Sequence, residues 1–150
     1  MWRRVEVEAR IGAPVEPVFA HLADPCTWPT FVPAVVRRRR LDDGPVRVGS
    51  RWAATDRVGP FPFDFVDELL VLEPDRRVVW GSSSPWNSTV EYRCAPDGVA
   101  TRVHATYEGD VDGWLRLLGA VVPTPVAGRI LSRDFVRLER LLTRSTRDAE

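Results

Sequence analysis

Asp56, Asp67, Tyr92 and Tyr107 combine proton-moving chemistry with a place on apolar strands. Asp67 shares the alternating face of Phe63, Phe65 and Leu69, and Asp56 follows Trp52 and Ala54 in the same way. Alternation with period two sends such residues to the side that is buried. A carboxylate in an apolar interior loses hydration, so its pKa rises and it can serve as a general acid or base. The competing reading is an acid neutralised by one of the chain's many arginines. Tyr92 and Tyr107 can orient a ligand hydroxyl or carbonyl, or simply form a wall. The candidate catalytic set is therefore Asp67, Tyr92 and Tyr107.

The run Arg37-Arg38-Arg39-Arg40 sends two guanidinium groups to each face of a strand in any register. Two inward arginines could clamp a ligand carboxylate or phosphate. The alternative is an edge strand protected by charge from pairing with other sheets. His21 falls on the polar side of a short helix, and His104 alternates with Val103 and Ala105, so both are expected to face solvent. That argues against a histidine triad or a histidine metal cluster. Cys26 and Cys94 lack metal-ligand spacing, and no glycine-rich phosphate loop occurs; neither a metal nor a cofactor is expected.

A larger set is aromatic. Trp28, Phe31, Trp52, Phe63, Phe65, Trp80, Trp86, Tyr92, Tyr107 and Trp114 fall where strands face inward or loops cover an opening. Together with Ile130 they are the expected ligand-binding residues. Trp52, Phe65, Trp80, Tyr92, Tyr107 and Ile130 are expected to wall a pocket of roughly drug-sized volume. Trp28, Phe31 and Trp86 are expected at its mouth. Any one of these aromatics could equally be core packing.

The elements that position these residues are legible in order. Val5, Val7, Ala9 and Ile11 alternate with charged residues as a strand buried on one face. Val15, Val18, Phe19 and Leu22 recur at helical spacing after Pro14, and Asp24 can cap a second short helix that Pro29 and Pro33 stop. Strands are then predicted over 35–41, 50–58, 61–72, 77–82, 88–94 and 99–108. The turns between them contain Asp-Gly pairs or proline, so the sheet should be antiparallel. Leu70 and Leu72 are expected on the outer face. Trp114 to Val122 forms an apolar helical patch, interrupted by Pro123 and Pro125. A long helix striped by Val126, Ile130, Phe135, Leu138, Leu141 and Leu142 follows to about Thr143, and 144–150 should fray. The prolines, with Gly119 and Gly128, mark either a hinge in a lid or a plain helix start at about Thr124. The whole pattern fits an α+β chain in one domain over 1–150: a curved seven-stranded antiparallel sheet, two short helices after the first strand, and a final helix over an internal cavity.

Composition narrows the partner. At 150 residues and 44% hydrophobic, the chain can bury a substantial core. Its 21 basic residues, all arginine, balance 21 acidic ones. That total offers no long-range field for nucleic acid or an anionic membrane. No apolar run reaches membrane-spanning length and the amino terminus lacks a signal-peptide layout, so a cytoplasmic location is expected; a monomer or homodimer is the expected assembly, which these features do not decide.

The element order, with Ala13-Pro14-Val15-Glu16-Pro17-Val18-Phe19, Trp28-Pro29, Gly49-Ser50-Arg51-Trp52, Glu73-Pro74-Asp75-Arg76-Arg77-Val78-Val79-Trp80 and Thr101-Arg102-Val103, resembles the SRPBCC superfamily from about Arg4 to Leu142. These START-like, helix-grip proteins include START lipid-transfer domains, birch-pollen-allergen relatives and the polyketide cyclase/dehydrase group. The resemblance implies a helix-grip fold but not one activity, because the superfamily holds carriers, enzymes and regulators on one scaffold. The leading expectation is a binder of a small hydrophobic molecule such as a lipid, isoprenoid or aromatic polyketide. Next comes a polyketide cyclase/dehydrase-type enzyme using the same cavity. Third is a stress-regulator or co-chaperone-like interaction module using the outer sheet face.

Overall fold

The computed structural model describes residues 2–149, the side chain of residue 149 excepted. Its elements run β1 (Arg3–Ile11), α1 (Val15–Leu22), a 3-10 helix (Pro25–Thr30), β2 (Val35–Arg40), β3 (Arg51–Val58), β4 (Phe61–Glu73), β5 (Arg77–Ser82), β6 (Ser88–Asp97), β7 (Ala100–Gly109), α2 (Gly113–Leu117) and α3 (Thr124–Ala149). The seven strands form one sheet in the order β1-β7-β6-β5-β4-β3-β2, and every pairing is antiparallel. This is the helix-grip fold. Consecutive hairpins build most of it, and the last strand closes on the first.

Local chemistry explains the ends of the elements. Asp24 accepts the Cys26 N–H at 3.1 Å and so starts the 3-10 helix, which carries Pro29 inside it rather than stopping there. Gly98 adopts a φ of +64°, which a two-residue hairpin between β6 and β7 requires and L-residues disfavour. Gly109 lies so close to β6 that an added Cβ would sit 2.5 Å from Ser88 Cβ. That approach holds the β5–β6 loop, with Trp86, over one end of the sheet.

Two expectations change. A bulge between Leu69 and Val71 shifts the phase of β4, so Leu72 pairs with Val78 and packs against the core instead of facing out. One extra residue moves every later side chain to the other face. The final helix also runs past Thr143 to Ala149; Ser145 and Thr146 hydroxyls donate to the Leu141 and Leu142 carbonyls along that extension.

The concave face carries two separate apolar clusters. The larger contains Ile11, Val18, Leu22, Trp28, Phe31, Trp52, Leu69, Trp80, Val103, Phe135 and Leu138, among others. The smaller is Ala54, Phe63, Phe65 and Leu115, flanked by Val58, Trp86, Val111, Leu118 and Ala120.

Candidate functional site

A charged seam separates the two clusters. Cross-strand pairing of Arg38 with Ala54 and of Arg40 with Trp52 sends Arg38 and Arg40 inward. Arg38 donates from Nε to Asp67 Oδ2 and from Nη1 to Asp56 Oδ1, both at 2.7 Å. Its side chain is 4% exposed, and the guanidinium lies between the rings of Trp28 and Phe65, at 5.4 and 5.1 Å from their centroids. Ser82 Oγ donates to Asp67 Oδ1 at 2.6 Å, and Trp86 Nε1 donates to Asp56 Oδ2 at 3.3 Å. Burial holds both aspartates above their ordinary range against the pull of Arg38, and the neighbouring Asp67 charge adds to the rise at Asp56. One guanidinium thus serves two carboxylates in a dry place.

Asp67 therefore points inward, as alternation requires, but both its oxygens are occupied by protein donors. A proton-transfer role for it depended on the absence of an arginine partner, and Arg38 fills that place. Arg40 is similarly engaged. It bonds Gly44 O, Pro45 O and Asp42, and sits 5.7 Å above the Trp52 ring.

Several residues expected around a cavity instead form solid packing. Trp28, Trp80 and Trp52 meet edge to face in a row, at 5.2 and 5.1 Å. Two of their indole N–H groups are satisfied locally: Trp28 Nε1 donates to His21 O and Trp80 Nε1 to Leu22 O, both at 3.1 Å. Trp28 and Phe31 are buried in the larger cluster, not placed at a mouth. The 3-10 helix folds them back under α1. His21 is half-buried, with Nδ1 2.8 Å from Pro17 O, and His104 lies on the outer face 3.8 Å from Glu6.

The other end is more loosely closed. Phe63 stacks on Phe65 at 5.8 Å and meets Trp86 at 5.3 Å and Trp114 at 6.1 Å. Its cover is the β5–β6 loop and the five-residue α2. Asn87 Nδ2 ties the two together through Asp112 Oδ1 at 2.7 Å. Leu115 is fully buried there, while Trp114 is half exposed and Leu117 is 89% exposed.

The amino half of α3 runs beside β1. Between Thr124 and Asp134 no residue is fully buried, though Ala127 and Leu131 pack in part against the larger cluster; Phe135, Leu138 and Leu142 are buried. Ile130, expected as a cavity wall, is 48% exposed because the stripe of α3 that meets the core runs through Ala127, Leu131, Phe135, Leu138 and Leu142, and Ile130 falls outside that arc. Beneath the helix, Tyr92 and Tyr107 meet edge to face at 6.3 Å, their hydroxyls interact, and Tyr92 also contacts Phe135 at 6.2 Å. Burial raises the pKa of both phenols.

Asp134 was missed by sequence reasoning. It sits on α3, acts electrostatically on both tyrosines, and accepts from Arg137 at 3.1 Å. Burial pushes its pKa up to about 6, against the pull of Arg137. Its position beside Phe135, at the start of the buried stripe, was the available signal. Among the described residues no group of histidine, cysteine and carboxylate side chains could hold a metal ion.

Two hollows open to solvent. One, of about 450 Å³, lies between β1 and the amino half of α3, lined by Val7, Glu6, Glu8, Pro125, Gly128 and Arg129 among others. The other, of about 510 Å³, lies on the outer sheet face beside Trp2, Val66, Leu70 and Gly81.

Residues 3–143 match the family described as polyketide cyclase / dehydrase and lipid transport, and the chain belongs to that family. A search of curated proteins finds no match. Among solved structures, the Zhui aromatase/cyclase from Streptomyces sp. R1128 is 19% identical with a TM-score of 0.73, over 99% of this chain and 98% of that one. A protein from Thermus thermophilus is 17% identical with a TM-score of 0.74, over 95% and 99% of the two chains. The di-domain aromatase/cyclase StfQ of the steffimycin pathway is 14% identical with a TM-score of 0.68; 99% of this chain spans 52% of that one. At these identities the similarity establishes the shared fold.

Proposed function

We propose that this protein binds a small hydrophobic molecule, of the lipid, isoprenoid or aromatic polyketide kind, under α2 and the amino half of α3. The observation that carries this is the asymmetry of the final helix. In residues 124–134 Val126 and Ile130 are exposed and Ala127 and Leu131 are buried only in part, whereas Phe135, Leu138 and Leu142 are locked into the core. A helix half with so little apolar burial can lift at small cost in free energy. A ligand filling the space beneath it would replace the missing contacts. Family membership supports the same ligand class. The test is native mass spectrometry of the protein purified from its own host, with displacement of a fluorescent hydrophobic probe. A co-purifying molecule of low mass is expected; a protein that carries nothing and binds no probe overturns the reading.

One observation favours a second reading, an enzyme of the cyclase or dehydrase type. Asp134, raised to about 6, stands with Tyr92 and Tyr107 at the edge of the same space. A carboxyl group near that value can both take and give a proton around neutral pH. Asp134→Asn should leave probe affinity within about tenfold and abolish turnover of a substrate if there is one.

A further inference from the structure

The exposed face of α3 carries a ladder of arginines that the ligand site does not use. Arg129, Arg133, Arg137, Arg140, Arg144 and Arg147 are all exposed. At roughly 100° per residue they fall within an arc of about 80°, opposite the stripe formed by Phe135, Leu138 and Leu142. At about 1.5 Å per residue the ladder is about 27 Å long. Of these six, among the described residues, only Arg137 forms an ion pair, with Asp134. Of the acids on this helix, Glu139 is turned to the protein, where it accepts the Gly12 N–H at 2.7 Å, and Asp148 lies at the far end. Glu6 and Glu8 face Arg129 across the β1–α3 hollow, but Arg4 and Arg102 already sit beside them. The zero net charge of the chain is a balance of totals and conceals this local field.

We propose that α3 is a docking surface for an anionic phospholipid bilayer. A straight row of cations matches a plane of lipid phosphates, where each arginine adds attraction that falls off within a Debye length. Exposed apolar groups accompany the row. Val126 lies within its arc, and Val136 and Ile130 lie at its borders. Such side chains can enter the headgroup boundary, which a nucleic-acid backbone does not offer. The ladder also carries no aromatic side chain on which bases could stack. The surface stands whether or not the proposed ligand site is correct.

The test is co-sedimentation of the whole chain with vesicles of phosphatidylcholine alone, or with about a third phosphatidylglycerol. Binding is expected only to the anionic vesicles and should weaken as salt is raised. The variant Arg133→Gln/Arg140→Gln/Arg144→Gln should bind on the order of a hundredfold more weakly, and Arg140→Gln alone about fivefold. A control with the same charge change elsewhere, Arg37→Gln/Arg39→Gln/Arg57→Gln, should bind like the parent. These side chains are exposed, so unchanged circular dichroism and melting are expected, and the single substitution keeps the measurement readable if the triple variant fails to fold. No binding to anionic vesicles overturns the proposal, as does an equal loss in the control. A duplex oligonucleotide that binds more tightly than the vesicles would also overturn it, and would reassign the face to nucleic acid.

Discussion

The two ends of the concave face are built from similar residues and closed in different ways. At one end Trp28, Trp80 and Trp52 interlock and α1, the 3-10 helix and the carboxyl half of α3 cover them. At the other, Phe63, Phe65 and Trp86 lie under a five-residue helix and a loop, and α3 adds no residue to that cluster. Aromatic content alone does not make a pocket. The cover decides whether the same side chains become core or become the wall of a site that can open. Arg38 with Asp56 and Asp67 marks the border, a charged seam that fixes strands β2, β3 and β4 to one another.

Breaking the seam should have the largest effect. Arg38→Met leaves two buried carboxylates without their cation and should cost about 3–5 kcal/mol in denaturant unfolding. Adding Asp56→Asn and Asp67→Asn to that variant should recover much of the loss, since the unpaired charges are then gone. A single Arg38→Met variant within about 1 kcal/mol of the parent would mean that the seam is not what joins the two ends.

The packed end should be nearly as sensitive. Trp80→Ala should destabilise by about 3–5 kcal/mol through cavity formation and loss of the ring contacts. Trp114→Ala at the loosely covered end should cost less than about 1 kcal/mol, because that ring is already half in water. Equal losses at the two positions would erase the distinction between the ends.

Asp134 gives a pH signature. Its folded-state pKa of about 6 lies above its ordinary value of 3.8, so between those values the folded protein holds a proton that the unfolded chain releases. Its contribution to stability therefore falls as pH rises through that window and is flat above about pH 6. Asp134→Asn should flatten this part of the profile and raise stability at neutral pH by up to about 3 kcal/mol. Thermal melts across the mildly acidic to neutral range read both effects. An unchanged profile in the variant would show that another carboxyl group carries the dependence.

The smallest energies are read by amide exchange. Residues 113–133 should exchange faster than 135–143, and a bound hydrophobic probe should slow the first group selectively. Uniform protection along α3 without ligand would show that its amino half is not a movable cover.

The strand and helix order was legible because each segment carries its own period, cap or turn, as Val5 to Ile11, Asp24 and Gly98 do. Asp56 and Asp67 were legible as inward because alternation holds through β3 and the first part of β4. Leu72 was not, since the bulge at Leu70 has no mark in the residue types around it. The arginine run was readable as two inward and two outward guanidinium groups, but not as a seam. Only the pairing of β2 with β3 and β3 with β4 brings Arg38 within 2.7 Å of both aspartates.

Sequence by itself determined the family, the helix-grip order of elements and the side of each strand that meets the core, because these follow from local periods and short-range turns. Tertiary structure alone decided which aromatics interlock, that Asp67 is neutralised by Arg38, and that Asp134 acts on the tyrosine pair. It also decided which side of α3 meets the core, taking Ala127 and Leu131 in part and leaving Ile130 outside. Those outcomes depend on which faces meet across dozens of residues and on how tightly each meeting is closed, and neither quantity is written in any one segment.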